Sequence, residues 1–188
     1  VVSLSRQSDS PIVQSGSVWR LVDPVDAARL LLPEIGDEIV KRWQVLACNV
    51  LLAADPCREM EASERLAAEI CGVNSGCSGT LRHHVAEGLA LAAVSSDKLV
   101  PEVRRIVGQL LSSAFADSTG NMLADLAPEL PLLAEAAPSD FLTAITADLD
   151  RPAPIIRTLF KDADASNFSF GSSSPHPNIQ RALEYLCW

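Results

Sequence analysis

The residues of this chain best suited to metal binding or nucleophilic catalysis are cysteines and histidines, and they cluster in one stretch. Five of them fall within 28 residues: Cys57, Cys71, Cys77, His83 and His84. Zinc usually receives its cysteine ligands as tight pairs such as Cys-x₂-Cys, whereas five residues separate Cys71 from Cys77. Adjacent helical residues point about 100° apart, so His83 and His84 cannot easily serve one ion. The spacing predicts no metal-binding residue, and the cysteines are expected to pack as small hydrophobic groups.

A nucleophilic cysteine needs a base and an orienting acid close in space. Proximity along the chain suggests His83 as the base for Cys77, but no nucleophile elbow accompanies them. The third histidine, His176, is predicted to lie in a loop between two prolines. We therefore predict no catalytic residue. The alternative that stays open is an enzyme or metal site around Cys71, Cys77, His83 and His84.

Carboxylates that lie close together along the chain could form an acid–base pair. Asp148 and Asp150 are two positions apart near a predicted helix end, and a second group comprises Glu59, Glu61 and Glu64. At such places acidic side chains are more often solvated than catalytic. We expect both groups to face solvent.

The sequence also lacks the pattern of a phosphate-binding loop. Such a loop is glycine-rich and ends in Gly-Lys-Ser/Thr, so that backbone N–H groups and a lysine surround the phosphates. The glycine-rich stretch at 71–79, CGVNSGCSG, contains no lysine and follows a predicted helix rather than a strand. We therefore predict no cofactor-binding residue, no cofactor and no NTP hydrolysis by this chain.

Composition narrows the class of partner. The chain has 188 residues and a net charge of −9, and it lacks the clustered lysines and arginines that nucleic-acid binding needs. No uncharged apolar run approaches the roughly 20 residues that span a bilayer. An odd count of five cysteines indicates reduced thiols and a cytoplasmic protein. We expect no nucleic acid and no membrane, but a protein partner or neighbouring domains of the same chain.

Hydrophobic periodicity predicts an all-α fold of packed helical hairpins with a small N-terminal β-hairpin. Residues 1–10 are expected to be a disordered segment, followed by one helical interaction domain over 11–188. Strand is expected only at 11–22, where a Ser-Gly-Ser turn separates two β-prone pieces. Residues 23–188 are predicted to be helical, apart from a loop at about 162–178.

Capping and breaking residues predict several helix ends. Asp23-Pro24 is a cap followed by proline at the first helical position, and Pro33 ends the short helix that follows. Ser139 is predicted to cap a later helix. In the helix that opens after Gly36, the apolar side chains recur at helical spacing on one face: Ile39, Trp43, Leu46 and Val50.

Two segments of the chain resemble each other. LALAAVSSDKL at 89–99 aligns without gaps on LLAEAAPSDFL at 132–142, an offset of 43 residues. Each segment reads as a helix end, a short turn and the start of another helix. A period near 40–47 residues is typical of HEAT and armadillo repeats, so a repeat array is one possible form of the packed hairpins.

Four stretches resemble segments of very large bacterial proteins: 15–33, 80–93, 130–145 and 173–188. Those proteins are STAND-type NTPases and related multidomain proteins linked to phage defence. In them the NTPase module lies elsewhere, and a long helical array serves as a sensor or scaffold. The resemblance implies a helical interaction region within a larger protein, and it carries over no catalytic residue.

These observations predict a non-catalytic module for macromolecular interaction, a sensor or scaffold within a larger bacterial protein. A stand-alone helical adaptor or regulatory domain is the further alternative. Ile179, Leu183 and Leu186 share one face of the last predicted helix, and no helix-stop residue precedes Trp188. We therefore expect a protein that continues past Trp188, and self-association through this helix stays open.

Overall fold

The computed structural model describes residues 9–56, 60, 64, 76–160 and 175–187. Several predictions fall largely or wholly outside these residues. They concern the disordered segment at 1–10, a helix near 61–70, most of the loop at about 162–178, and the positions of Cys57, Cys71 and Trp188.

The N-terminal β-hairpin has the predicted place and turn. Strands β1 (Ile12–Ser15) and β2 (Val18–Leu21) pair antiparallel, with Ile12 opposite Leu21 and Ser15 opposite Val18. Gly16 and Ser17 are left as a two-residue loop, and Gly16 has φ +62°. Glycine adopts that left-handed conformation without the steric penalty that a side chain would add.

Most of the remaining described residues are helical, which confirms the all-α fold class. Among the described residues, 3₁₀ helices at Leu32–Glu34, Ala127–Glu129 and Ile155–Phe160 accompany the α-helices. Within the described ranges the α-helices are α1 (Pro24–Leu31), α2 (Asp37–Leu51), α3 (Gly79–Ser95), α4 (Val100–Ala116), α5 (Asn121–Leu126), α6 (Leu130–Ala136), α7 (Pro138–Leu149) and α8 (His176–Tyr185).

The two segments that resemble each other in sequence occupy equivalent places in the structure. Residues 89–99 join α3 to α4, and residues 132–142 join α6 to α7. Helix α3 packs against α6, and α4 packs against α7. The equivalent helices of two successive hairpins therefore lie side by side, as stacked repeats would. Membership of the HEAT or armadillo class stays a prediction.

The core lies where these hairpins meet. Leu89 of α3, Leu110 of α4, Leu133 of α6 and Phe141 of α7 are fully buried there. Helix α8 packs on α6. It covers part of its predicted apolar face, because Ile179 is buried, whereas Leu183 remains partly exposed.

Three local predictions were wrong. Ser139 does not cap α7: the helix already begins at Pro138, a residue that the first helical position favours. The predicted loop at 162–178 ends earlier than expected, and His176 does not lie in a loop. Helix α8 begins at His176 and tolerates Pro177 in its first turn. Asp148 is fully buried rather than solvated, because its carboxylate accepts hydrogen bonds from the backbone of the 3₁₀ helix at 155–160.

Candidate functional site

Helix α2 leaves two of the four side chains of its predicted apolar stripe largely exposed, and the partly buried Trp43 packs against the core. The side chains that it buries are Val40, Ala47, Val50 and Leu51. Only Val50 belongs to the predicted stripe; Ile39 is 56% exposed and Leu46 is 48% exposed. Two apolar faces therefore run along one helix. One face packs on α3 and α4, and the other, which carries Ile39, Trp43 and Leu46, lines an open groove.

This apolar groove lies between α1, α2 and α3 and has a volume of about 530 Å³. Helices α1 and α2 each pack against α3 but make few direct contacts with each other, so the space between them stays open. Along α1 the lining positions follow the i, i+3, i+4, i+7 pattern of one helical face. A helix of a globular protein normally packs such an apolar face against a neighbouring element. That face consists of Pro24, Ala27, Ala28 and Leu31.

Exposed apolar side chains are concentrated in the hairpin, α1 and α2, and three of them, Leu21, Ile39 and Leu46, line the groove. Of the sixteen exposed large hydrophobic side chains in the described residues, nine lie between Val13 and Leu46. Exposed apolar residues scattered singly are normal on a soluble protein, whereas a contiguous patch marks an interaction site. The concentration around the hairpin, α1 and α2 therefore singles out this face of the molecule.

The lining of the groove offers almost no polar chemistry. Among its described lining residues the only charged side chain is Arg42. Its Nε donates to Glu38 Oε1 at 3.3 Å, and both side chains are exposed on the outer flank of α2. The groove can therefore bury apolar side chains, with one cation at its edge.

A second cavity, of about 460 Å³, lies on the other flank of α2, and it is polar. Arg105 of α4 donates to Gln44 at 2.6 Å and to Glu102 at 2.8 Å. Lys98 Nζ donates to the backbone oxygen of Ile35 at 3.2 Å. These polar groups mostly hydrogen-bond with one another. The hydrogen bonds join α2 to α4, and they join Lys98 to the segment just before α2.

Arg82 of α3 fixes the C-terminal end of α2. Its Nη1 donates to the oxygens of Val50 (3.4 Å) and Ala53 (2.8 Å), and its Nη2 donates to those of Leu51 (2.9 Å) and Asp125 (2.7 Å). The last carbonyls of a helix have no partner within the helix, and a cation there also favours the helix dipole. The side wall of the groove is therefore anchored to α3 and α5 by one buried guanidinium.

The cysteines and histidines that cluster along the sequence are only partly brought together in the structure. Cys71 lies outside the described residues, and Cys77 is half-buried at the edge of the core. The rings of His83 and His84 are tilted relative to each other, with their centroids 6.0 Å apart. Each ring lies beside a different carboxylate. His84 Nδ1 lies 3.2 Å from Glu87 on the surface of α3.

His83 instead faces Glu129, which the sequence analysis did not single out. The Nδ1 atom of His83 lies 3.4 Å from Glu129 Oε2, and the two side chains are 57% and 5% exposed. Oε2 finds no hydrogen-bond partner in the described structure, since His83 is at the limit of reach and poorly aligned. Burial raises the pKa of Glu129, and the nearby His83 and Arg82 only partly oppose it.

Two classes of site find no support in the described residues. No three histidine, cysteine, aspartate or glutamate side chains there are grouped so as to hold a metal ion. None of the helices in those ranges combines the length and apolar character needed to cross a membrane.

The chain was compared with known proteins at three levels. No protein-family model, no curated protein and no solved structure matches it.

Proposed function

We propose that this chain is a non-catalytic interaction module that takes an amphipathic helix of a partner protein into the groove between α1 and α2. The observation that carries the proposal is the groove itself, about 530 Å³ in volume and lined almost entirely by apolar side chains. Amphipathic helices bind such grooves through side chains spaced at i, i+3, i+4 and i+7.

The shape of the groove favours a helix over an extended peptide. Helices α1 and α2 both rest on α3 and leave an open space between them. Small residues on its floor, Ala27, Ala28 and Gly88, allow the backbone of an incoming helix to approach closely. An added helix would pack on three helical neighbours, because all the described lining residues except Leu21 belong to α1, α2, α3 or the segment between α1 and α2.

The chemistry of the lining favours a protein segment over a small molecule. Small-molecule sites combine an apolar lining with several placed polar groups that orient the ligand. Among the described lining residues, the polar side-chain groups are the Arg42 guanidinium and the indole N–H of Trp43. An acidic residue flanking the apolar stripe of the partner helix would complement Arg42, so we expect a partner with a carboxylate at one edge of its apolar face.

The resemblance to helical regions of STAND-type NTPases and phage-defence proteins supports a place for this module within a larger bacterial protein. In that setting the incoming helix would belong either to a neighbouring domain of the same chain or to a sensed or scaffolded protein. A stand-alone adaptor would use the same groove, so the binding experiment below applies to both settings.

The experiment is a selection of helical peptides from a displayed library on the purified chain, followed by affinity measurement with fluorescence anisotropy. The wild type should enrich peptides with an apolar stripe at helical spacing. Ile39→Asp and Leu46→Asp should weaken the selected peptides by more than about 10-fold, because a charge would be buried without a partner in the interface. Both side chains are about half exposed, so folding should be unaffected.

The matched control is Leu142→Asp on α7, since Leu142 is 45% exposed and does not line the groove. This variant should bind the selected peptides as the wild type does. Selection of peptides without an apolar stripe, or equal binding by Ile39→Asp and the wild type, would show that the groove is not the interaction site.

A further inference from the structure

Glu129 occupies a position where an ionised carboxylate is poorly accommodated. It ends the 3₁₀ helix at 127–129 and immediately precedes α6, which packs against α3. A buried charge without a well-formed hydrogen bond destabilises the folded state. Ionisation of Glu129 should therefore destabilise the contact between α3 and α6, the helices through which the two hairpins stack.

The charged groups around Glu129 do not neutralise it. Arg82 and His83, both of α3, are the described side chains that favour its ionised form, and burial outweighs them. Arg82 directs both of its terminal nitrogens to backbone carbonyls. The neighbouring α5, α6 and α8 carry charged side chains as well: Asp125, Glu135, Arg181 and Glu184.

We propose that Glu129 and His83 form a proton-dependent joint between the two stacked hairpins, which is tight when the Glu129 carboxyl is protonated and loosens when it ionises. His83 is more than half exposed, so solvent reaches its imidazole beside the buried carboxyl. The joint is a property of the fold and does not depend on the groove being a binding site.

The direction of the pH dependence follows from the raised pKa of Glu129. A folded-state pKa above the unfolded value means that the folded chain holds the proton more tightly. The stabilisation from this tighter proton binding is fully present below the pKa that Glu129 has in the unfolded chain. It is lost as the pH rises through the pKa that Glu129 has in the folded chain. Raising the pH above the usual glutamate range should therefore loosen the contact between α3 and α6.

The test is the melting temperature of wild type and Glu129→Gln between about pH 4 and pH 9. The neutral amide keeps the shape of the side chain and removes the ionisation. At the alkaline end we expect Glu129→Gln to melt about 2–4 °C above the wild type, and the gap should close towards acidic pH. A carbon-13 titration of the Glu129 carboxyl should show a midpoint above the usual glutamate range.

The chain offers a matched control in the exposed pair of His84 and Glu87 on the same helix. Glu87→Gln should leave the pH profile parallel to that of the wild type. His83→Asn should move the Glu129 midpoint to higher pH, because His83 lowers the pKa of Glu129. If glutamine is poorly tolerated at position 129, Glu129→Leu gives the same readout. A Glu129→Gln profile parallel to the wild type would overturn the proposal.

Discussion

Replacing Arg82 with methionine is expected to lower the free energy of unfolding by about 3–5 kcal/mol, a large part of the stability of a typical domain. The guanidinium donates to four backbone oxygens from Val50 to Asp125 and is almost completely buried. Methionine fills a similar volume but donates nothing, so these carbonyls would lose their donors, at about 1–3 kcal/mol for a buried group left unpaired. Urea unfolding followed by circular dichroism measures the change.

Arg29→Met is the matched control for this prediction. The Arg29 side chain is 67% exposed and, among the described residues, pairs with Asp26, three residues away on α1. Exposed pairs of this kind contribute about 0–1 kcal/mol, so the control should unfold close to the wild type. An Arg82→Met protein as stable as Arg29→Met would mean that the carbonyls at the end of α2 find other partners.

Asp148→Asn is expected to lower the free energy of unfolding by about 3 kcal/mol. The carboxylate accepts from the backbone N–H groups of Ile155 and Ile156 at 3.1 and 2.9 Å, and it forms an ion pair with Arg151 at 3.3 Å. In the variant, one oxygen becomes an amide nitrogen that faces a donor, and the charge that pairs with Arg151 disappears. Because Arg151 also donates to the Phe115 oxygen at 2.7 Å, the end of α4 should loosen as well.

The control for Asp148 is its exposed neighbour, in Asp150→Asn. A surface substitution of this type usually changes stability by less than about 0.5 kcal/mol. Hydrogen exchange gives a second readout, because Asp148→Asn should speed exchange at the amides of Ile155 and Ile156 specifically. Similar exchange in the two variants would contradict the role assigned to the buried carboxylate.

Local signals in the sequence predicted the helix ends that depend on neighbouring residues. Asp23 caps α1 as expected and accepts from the backbone N–H of Asp26 at 3.0 Å. Asp117, directly after α4, accepts from the backbone N–H groups of Thr119 and Met122 over similarly short separations. Such interactions span two to five residues, so a short window of sequence contains both partners.

The interactions that shape the candidate site span much greater separations. Arg82 binds the end of α2 at separations of 29 to 32 residues and the oxygen of Asp125 at 43. The partners of Arg82 and Glu129 are therefore set by packing that no local pattern encodes. The same limit applies to α2: periodicity identified the stripe that contains Ile39 and Leu46, but it could not show that the core is formed by another face.

The division of α2 into two faces has an evolutionary consequence. Ile39 and Leu46 are about half exposed, whereas Ala47 and Leu51 on the same helix are fully buried. Substitutions at the first pair change what the groove presents without opening a cavity in the core, whereas substitutions at the second pair alter the fold. Under the proposed function, related chains could therefore diverge in the partner helix they bind while keeping the same scaffold, and substitutions at Ile39 and Leu46 alone would let a designer alter that specificity.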